Sequence, residues 1–292
     1  MEYLQKLVSK EDCLVTVVAI CYNHADNLAR CLDSILCQKT DFAFKVVVID
    51  DASTDGSVDI IKKYAAADSR VEMVLHEENY YSQGREGFSE YQDRITTPFF
   101  HVIETDDYWC DENKLQMQVN ALLEHTKCVA CAHAVEYRDS DGGFIERRGR
   151  RVKSGACVFN IHSAQFCHMS STLYRNCLHK IPKSDRDFLC RDIARFYYML
   201  SQGKLFYIDR VMSVTRRTGT GVWSALDALT QKKELQNWFY KIDRYLGFRF
   251  TKKFRHRYLP HEGKKLFSVN IPYWKNRRIS ICLSKLKKED SE

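Results

Sequence analysis

The sequence predicts an α/β fold, a mostly parallel sheet flanked by helices, followed by a small helical appendage at the C-terminus. Three observations carry that expectation. Short apolar, β-branched runs alternate with segments of helical periodicity through the first half. The strand ends run into acidic, turn-rich loops. Beyond Trp223 the pattern becomes helical and basic.

Residues 14–20 (LVTVVAI) are a short apolar run, as expected of a strand buried on both faces of a parallel sheet. Residues 25–37 place Leu28, Leu32, Ile35 and Leu36 at helical spacing. A second buried strand at 45–49 (KVVVI) ends in Asp50-Asp51-Ala52-Ser53-Thr54-Asp55-Gly56, a loop rich in turn and N-cap residues, and 57–67 reads as a helix. A third strand at 71–75, a helix at 84–95 and a fourth strand at 99–103 continue the alternation. The fourth strand runs directly into Glu104-Thr105-Asp106-Asp107. Such alternation argues for βαβ units with right-handed crossovers, in which ligands bind beyond the carboxyl ends of the strands. Polar residues gather at those ends: Tyr22 and Asn23, Asp50 and Asp51, Glu104 to Asp107.

The second half is less regular. Residues 129–137 and 144–148 suit a hairpin around 139–143. A strand at 165–174, a helix at 188–201 and short strands at 205–208 and 211–215 follow. The domain expectation is one unit over 1–223, with a regular half at 12–125 and a less regular half at 126–223. The basic helical appendage covers 224–292.

At 292 residues, with 45% hydrophobic and 28% charged residues, the composition is that of a globular protein, and 4 prolines and 12 glycines leave little room for a disordered linker. The net charge of +7 is unevenly placed: residues 231–292 carry 17 Lys/Arg against 6 Asp/Glu, a net of +11, which leaves −4 on the rest. A basic tail on a mildly acidic body suggests a polyanionic partner, a membrane surface or a nucleic acid, against the plainer reading of a solvated helical face. Aromatics interleave with the bases (Trp238, Phe239, Tyr240, Phe248, Phe250, Phe254, Tyr258, Tyr273, Trp274), as in helices that lie at a membrane interface. Packing of those rings on the body is the structural alternative. No apolar run is long enough to span a bilayer, and residues 1–12 lack a signal-peptide core. The expected location is the cytoplasm, with peripheral attachment to the inner face of the cell membrane at most. The 12 cysteines are scattered and read as buried thiols; Cys128, Cys131 and His133 have the spacing of half a zinc site, but no second pair follows.

Asp106 and Asp107, with Glu104 nearby, form a hard-oxygen cluster suited to Mg²⁺ or Mn²⁺, which bind through one or two carboxylates plus substrate phosphates. The alternative is that both aspartates cap a helix beginning near Glu112. The upstream Asp50-Asp51 loop shifts the balance towards a nucleotide site.

The runs VTVVAICYNHADNLARCLDSIL, VVVIDDASTDGS and FFHVIETDDYWCDENKL, in that order and spacing, resemble a family 2 glycosyltransferase of the Rossmann-like GT-A fold. The likeness covers about the first 125 residues closely and continues faintly through MSSTLYR, LCRDIARF and VTRRTGTGVW. It implies that Tyr22 and Asn23 border the base and ribose of a nucleotide and that Asp51 accepts a hydrogen bond from the base, uracil being favoured. Asp106 corresponds to the last acid of an Asp-x-Asp motif and would ligate the cation bridging the diphosphate. Glu104 stands where the family usually has Asp, and Asp107 supports the loop. Asp192 resembles the catalytic base, preceded here by Arg191, whose guanidinium would act on it if the two touch. Arg216, Arg217 and the segment 218–223 resemble a late loop closing over the diphosphate. His24, His76, His101 and His168 lie near strand ends or the late motif, and His168 is the best of them for a sugar or acceptor contact. The implied activity is inverting transfer from a nucleotide-sugar, a UDP-sugar first, to a hydroxyl of a glycan or lipid-linked acceptor in surface polysaccharide or lipooligosaccharide synthesis.

Other classes fare worse. Neither GxGxxG nor GxxxxGK[ST] occurs, which argues against dehydrogenases and P-loop kinases, and no Gly-rich phosphate loop supports a nucleotidyltransferase. A nucleic-acid-binding protein would explain the basic tail but not the acidic loops. A non-catalytic sugar-nucleotide-binding homologue is the remaining alternative, because Glu104 and Arg191 depart from the family pattern.

Overall fold

The structure, a computed structural model, describes residues 12–85, 87–217 and 226–258. Strand β1 (Cys13–Cys21) lies between β2 (Ala43–Asp50) and β4 (Phe99–Glu104), and β3 (Val71–Leu75) extends the sheet beyond β2, all in parallel. Helices α1 (Ala25–Leu36) and α2 (Ser57–Ala67) make the first two crossovers. Residues of β1 alternate between two cores. Val15, Val17 and Ala19 face one with Leu28, Cys31, Leu32 and Ile35 of α1, while Val18 faces the other. Burial on both faces is what the apolar β-branched runs demand.

The region 84–95 does not form one helix. It is a short α3 (Gly87–Tyr91) between single 3₁₀ turns at Tyr81–Gln83 and Gln92–Arg94. Gly87 packs directly on His76, where a Cβ would stand 2.6 Å from Cε1. After β4, a two-residue β5 (Tyr108–Trp109) and helix α4 (Lys114–Glu124) lead into the long β6 (Cys128–Asp139), which pairs with β7 (Phe144–Arg148) as the expected hairpin.

The second half mixes strand directions. With β8 (Ala156–Phe159), β9 (Leu173–Arg175) and β10 (Lys204–Arg217) the sheet is complete; its path runs β3-β2-β1-β4-β9-β6-β10-β5, and β8 pairs with β10. Strand β9 covers only Leu173–Arg175, preceded by a 3₁₀ turn at Met169–Ser171. The longer strand expected at 165–174 is interrupted because the hydroxyls of Ser171 and Thr172 donate to the carbonyl of His168 and hold a local turn. The two strands expected at 205–208 and 211–215 are one strand, β10, whose register against β6 shifts between Ile208 and Val211. The helix expected at 188–201 is two, α5 (Arg186–Cys190) and α6 (Asp192–Gln202), because Arg191 is extended at φ −60° and ψ 129°. That break makes Asp192 the first residue of a new helix.

Helices α7 (Ala228–Tyr245) and α8 (Thr251–Tyr258) bring Phe239, Ile242, Leu246 and Phe254 into the core that holds Phe196 and Tyr197 of α6. Trp238 stacks on Phe188 with ring centroids 5.6 Å apart. Among the described residues no helix is long and apolar enough to cross a membrane. Tyr273 and Trp274 lie outside them. Cys128, Cys131 and His133 sit buried in β6, and His133 Nδ1 is 2.8 Å from the carbonyl oxygen of Ala134.

Candidate active site

Because β1, β2 and β4 are parallel and in register (Ile20 opposite Glu104, Cys21 opposite Asp50), their polar sequels emerge at one edge of the sheet. The backbone continues the pairing there: Asp51 N–H donates to the Cys21 carbonyl at 2.9 Å and Thr105 N–H to the Ile20 carbonyl at 3.0 Å. Two residues take left-handed backbone at this edge, Asn23 (φ 54°) and Ala52 (φ 63°), so both loops turn sharply where the strands end.

Asn23 joins the first two loops. Its N–H donates to Ser53 Oγ at 2.9 Å, and its Oδ1 accepts from Thr54 N–H at 2.8 Å. Tyr22 beside it is exposed. Asp51 is buried and organises the next loop, accepting from the N–H groups of Tyr80 (2.8 Å) and Tyr81 (3.0 Å), with His76 Nδ1 at 3.1 Å. The His76 ring stacks on Tyr80 at 3.9 Å, and the Arg85 guanidinium lies 3.9 Å from the Tyr80 ring centroid. His76, a weak signal in the sequence, thus belongs to the Asp51 cluster, while Tyr80, Tyr81 and Arg85 gave no signal there.

At the end of β4, Glu104 is exposed, Asp106 half-buried and Asp107 buried. Asp106 Oδ1 is buried without a hydrogen-bond partner, an atom in want of a cation or donor. Asp107 accepts from Thr215 Oγ1 at 3.2 Å and stands 3.5 Å from His168 Nδ1. Burial, with the charges of Asp106 and Glu104, pushes the Asp107 carboxyl well above the usual range. Thr215 and Ser213 of β10, with Ser170, complete a hydroxyl lining around this acid. His24 Nδ1 lies 2.9 Å from Thr105 Oγ1 in the same loop, whereas His101 is wholly buried beneath it, edge-on to Trp109.

His168 lies beside the Asp107 carboxyl. Burial lowers its pKa, opposed by the charges of Asp192 and Asp106, so both carboxylates act on one imidazole. Asp192 accepts from the Ile193 N–H at 2.6 Å, which fixes its rotamer at the start of α6. The Arg191 guanidinium lies over the Tyr81 ring, 4.7 Å from its centroid. Arg216 Nη2 donates to the Ser140 carbonyl, and Arg217 pairs with Glu146 at 2.9 Å above Tyr137. The segment 218–223 expected to close with them lies outside the described residues.

The residues fit a divalent cation at Asp106 on the strength of its partnerless buried oxygen. Among the described residues no three His, Cys, Asp or Glu side chains converge as a complete metal cage.

A mixed α/β sheet flanked by helices, with acidic loops at the edge of its parallel half, defines the GT-A architecture. Within it, the chain belongs to glycosyl transferase family 2, which matches residues 16–180, more than half of its length. An uncharacterised protein of Mycobacterium tuberculosis is 28% identical over 218 residues, 72% of this chain and 60% of that protein, so the chain spans well short of the whole relative. Glycosyltransferase GlyA of Streptococcus pneumoniae is 25% identical over 80% of this chain and 36% of its own. Among solved structures, TarS of S. aureus with UDP-GlcNAc aligns at a TM-score of 0.57, with 19% identity, over 79% of this chain and 66% of that one. A mannosyltransferase of Pyrobaculum calidifontis with GDP-Man and Mn²⁺ aligns at 0.51, with 17% identity, over 83% and 69%.

Proposed function

We propose that this protein transfers a sugar from a nucleoside-diphosphate donor, a UDP-sugar first, to a hydroxyl of a glycan or lipid-linked acceptor, with inversion at the anomeric carbon. The observation that carries the reading is the delivery of the acidic loops after β1, β2 and β4 to one edge of the sheet, where Asp106 Oδ1 is buried without a hydrogen-bond partner. Membership of family 2 supports it, as do structural neighbours that hold UDP-GlcNAc or GDP-Man with Mn²⁺.

In this reading the Asn23 and Asp51 loops frame the nucleoside. Tyr22 offers an exposed ring to a base, and Asp51 keeps an acceptor lone pair for the base beside the backbone donors it already binds. Asp106 holds Mn²⁺ or Mg²⁺, with Glu104 close by; when bound, the cation offsets charge on the departing diphosphate. Arg216 and Arg217 end β10 near the same edge and add positive charge towards the leaving group. Asp192, its rotamer fixed by the Ile193 amide, accepts the proton of the acceptor hydroxyl as that oxygen attacks. His168 and Asp107 hold the floor between donor and base.

Calorimetric titration of UDP with and without Mn²⁺ tests the donor half. Micromolar, Mn²⁺-dependent binding lost in Asp106→Ala is expected; failure of UDP, GDP and dTDP alike, with metal present, would remove the reading. Asp192→Asn tests the base: turnover should fall about 10²–10⁴-fold with UDP affinity kept. Binding without any turnover in the wild type would instead identify a sugar-nucleotide-binding homologue.

A further inference from the structure

A cavity of about 210 Å³ is walled by Arg148, Arg150, Phe159, Phe166, Cys167 and Tyr207. Ring contacts and one peptide bond link its wall to the candidate catalytic centre. Cys167 lines the cavity, and the next residue, His168, faces Asp107. Phe166 packs edge-on against Phe196 of α6, the helix that Asp192 begins. The Arg148 guanidinium lies 4.5 Å over the Tyr137 ring, which in turn meets the His168 ring edge-on at 5.9 Å.

The charge around this cavity is positive and only partly answered. Arg147 pairs with Asp209, and Glu146 is shared between Arg148 and Arg217. Among the described residues no carboxylate pairs with Arg150, whose guanidinium lies 4.7 Å over the Phe159 ring, nor with Arg151 or Lys153. Lys253 of α8 lies near Arg150 and donates to the carbonyl of His162 at 3.1 Å. Its pKa is lowered by burial and by the nearby cations Arg257 and Arg150, a sign that like charges crowd this rim. Cations that outnumber the acids beside them repel one another, and a bound anion relieves that repulsion.

The floor is also polar. The Tyr207 hydroxyl is buried, with no well-formed hydrogen bond although Arg147 lies beside it. Gly149 passes directly over that hydroxyl at φ +128°, where a Cβ would collide with it. Only glycine permits that backbone so close to the ring.

We infer that this cavity is the acceptor subsite and that it takes an anionic sugar. A phosphate or carboxylate on that sugar meets Arg150 and Arg148, and the apolar ring face lies against Phe159 and Phe166. Guanidiniums bind both anions with paired, charge-assisted hydrogen bonds, and aromatic rings supply flat apolar area. The assignment of the cavity to the acceptor rests on the glycosyl-transfer reading; its preference for an anion does not.

The test uses the full chain with UDP and Mn²⁺ and three probes: methyl glucoside, methyl glucuronide and methyl glucoside 6-phosphate. Calorimetry or ligand-observed NMR should show the two charged sugars binding roughly tenfold or more tighter than the neutral one. Arg148→Gln with Arg150→Gln should erase the difference, and Arg150→Gln alone should reduce it, both with UDP affinity unchanged. Equal binding of all three sugars, or a preference that survives the double substitution, overturns the proposal. An arginine-dependent preference in a protein that binds no UDP supports the anion subsite and counts against glycosyl transfer alone. Binding of phosphatidylglycerol vesicles through these arginines, without binding of the charged sugars, overturns it in favour of a lipid headgroup.

Discussion

A buried carboxylate oxygen without a partner destabilises the fold unless it serves a ligand, and Asp106 Oδ1 is such an atom. Asp51 is the opposite case, a buried carboxylate whose oxygens hold the Tyr80 and Tyr81 amides. Asp51→Asn turns one acceptor into a donor facing an N–H. It should cost about 1–3 kcal/mol in urea unfolding and weaken UDP binding through the displaced loop. Unchanged stability would show that the loop holds itself. Two buried histidines set a pH limit. Burial lowers the pKa of His101 and His133 well below the ordinary 6.5, so both stay neutral in the folded chain. Below pH 6.5 the unfolded chain takes up protons that the folded chain refuses. Stability is therefore complete above that pH and is lost as pH falls, by up to about 1.4 kcal/mol per pH unit for each histidine. Thermal melts between pH 7.5 and pH 5.5 should show this, and His101→Phe should make the dependence shallower. A flat profile would mean that one or both imidazoles are hydrated.

At the scale of elements, the break between α5 and α6 and the register shift in β10 build the second half of the site. Helix α8 shows how the C-terminal helices serve that half. Phe254 is fully buried against Tyr197 of α6, with ring centroids 4.9 Å apart. Phe254→Ala should cost about 3–5 kcal/mol by denaturant unfolding and loosen the helix that carries Asp192. A loss under 1 kcal/mol would mean that α8 docks only weakly. Strands β1, β2 and β4 and the acids at their ends are legible in the sequence because burial on both faces leaves an apolar, β-branched imprint, and parallel strands must deliver their loops to one edge. The cluster of Asp107, His168 and Thr215 is not. Thr215 lies 108 residues from Asp107 and 47 from His168, and the pairing of β10 with β5 sets it beside the acid. Arg191 breaks the helix with no proline or glycine to announce it. The turn at 169–171 comes from hydroxyls bonding locally, which hydrophobic periodicity does not register.

For the whole molecule the dominant feature is charge asymmetry, +11 over residues 231–292 against −4 over the rest. The aromatics interleaved with that charge divide. Phe239 and Phe254 are buried, and Trp238 and Phe250 are packed against the same core, so those rings are committed to the fold. Attachment of a membrane to the described residues 228–258 would then be mainly electrostatic, and electrostatic attachment has a distinct salt signature. The chain should co-sediment with vesicles containing phosphatidylglycerol at low ionic strength. It should release at about 0.5 M salt, where screening shortens the reach of charge to a few ångströms, and it should ignore pure phosphatidylcholine. Ending the chain at Tyr258 removes eight bases and four acids, a net of +4, and should weaken that binding several-fold without abolishing it. Binding that persists in high salt, or is equal on neutral vesicles, would point to apolar insertion. No binding even at low salt would leave the basic residues as a solvated face, and the anion-binding arginines beside β7 would then be the place where positive charge meets a partner.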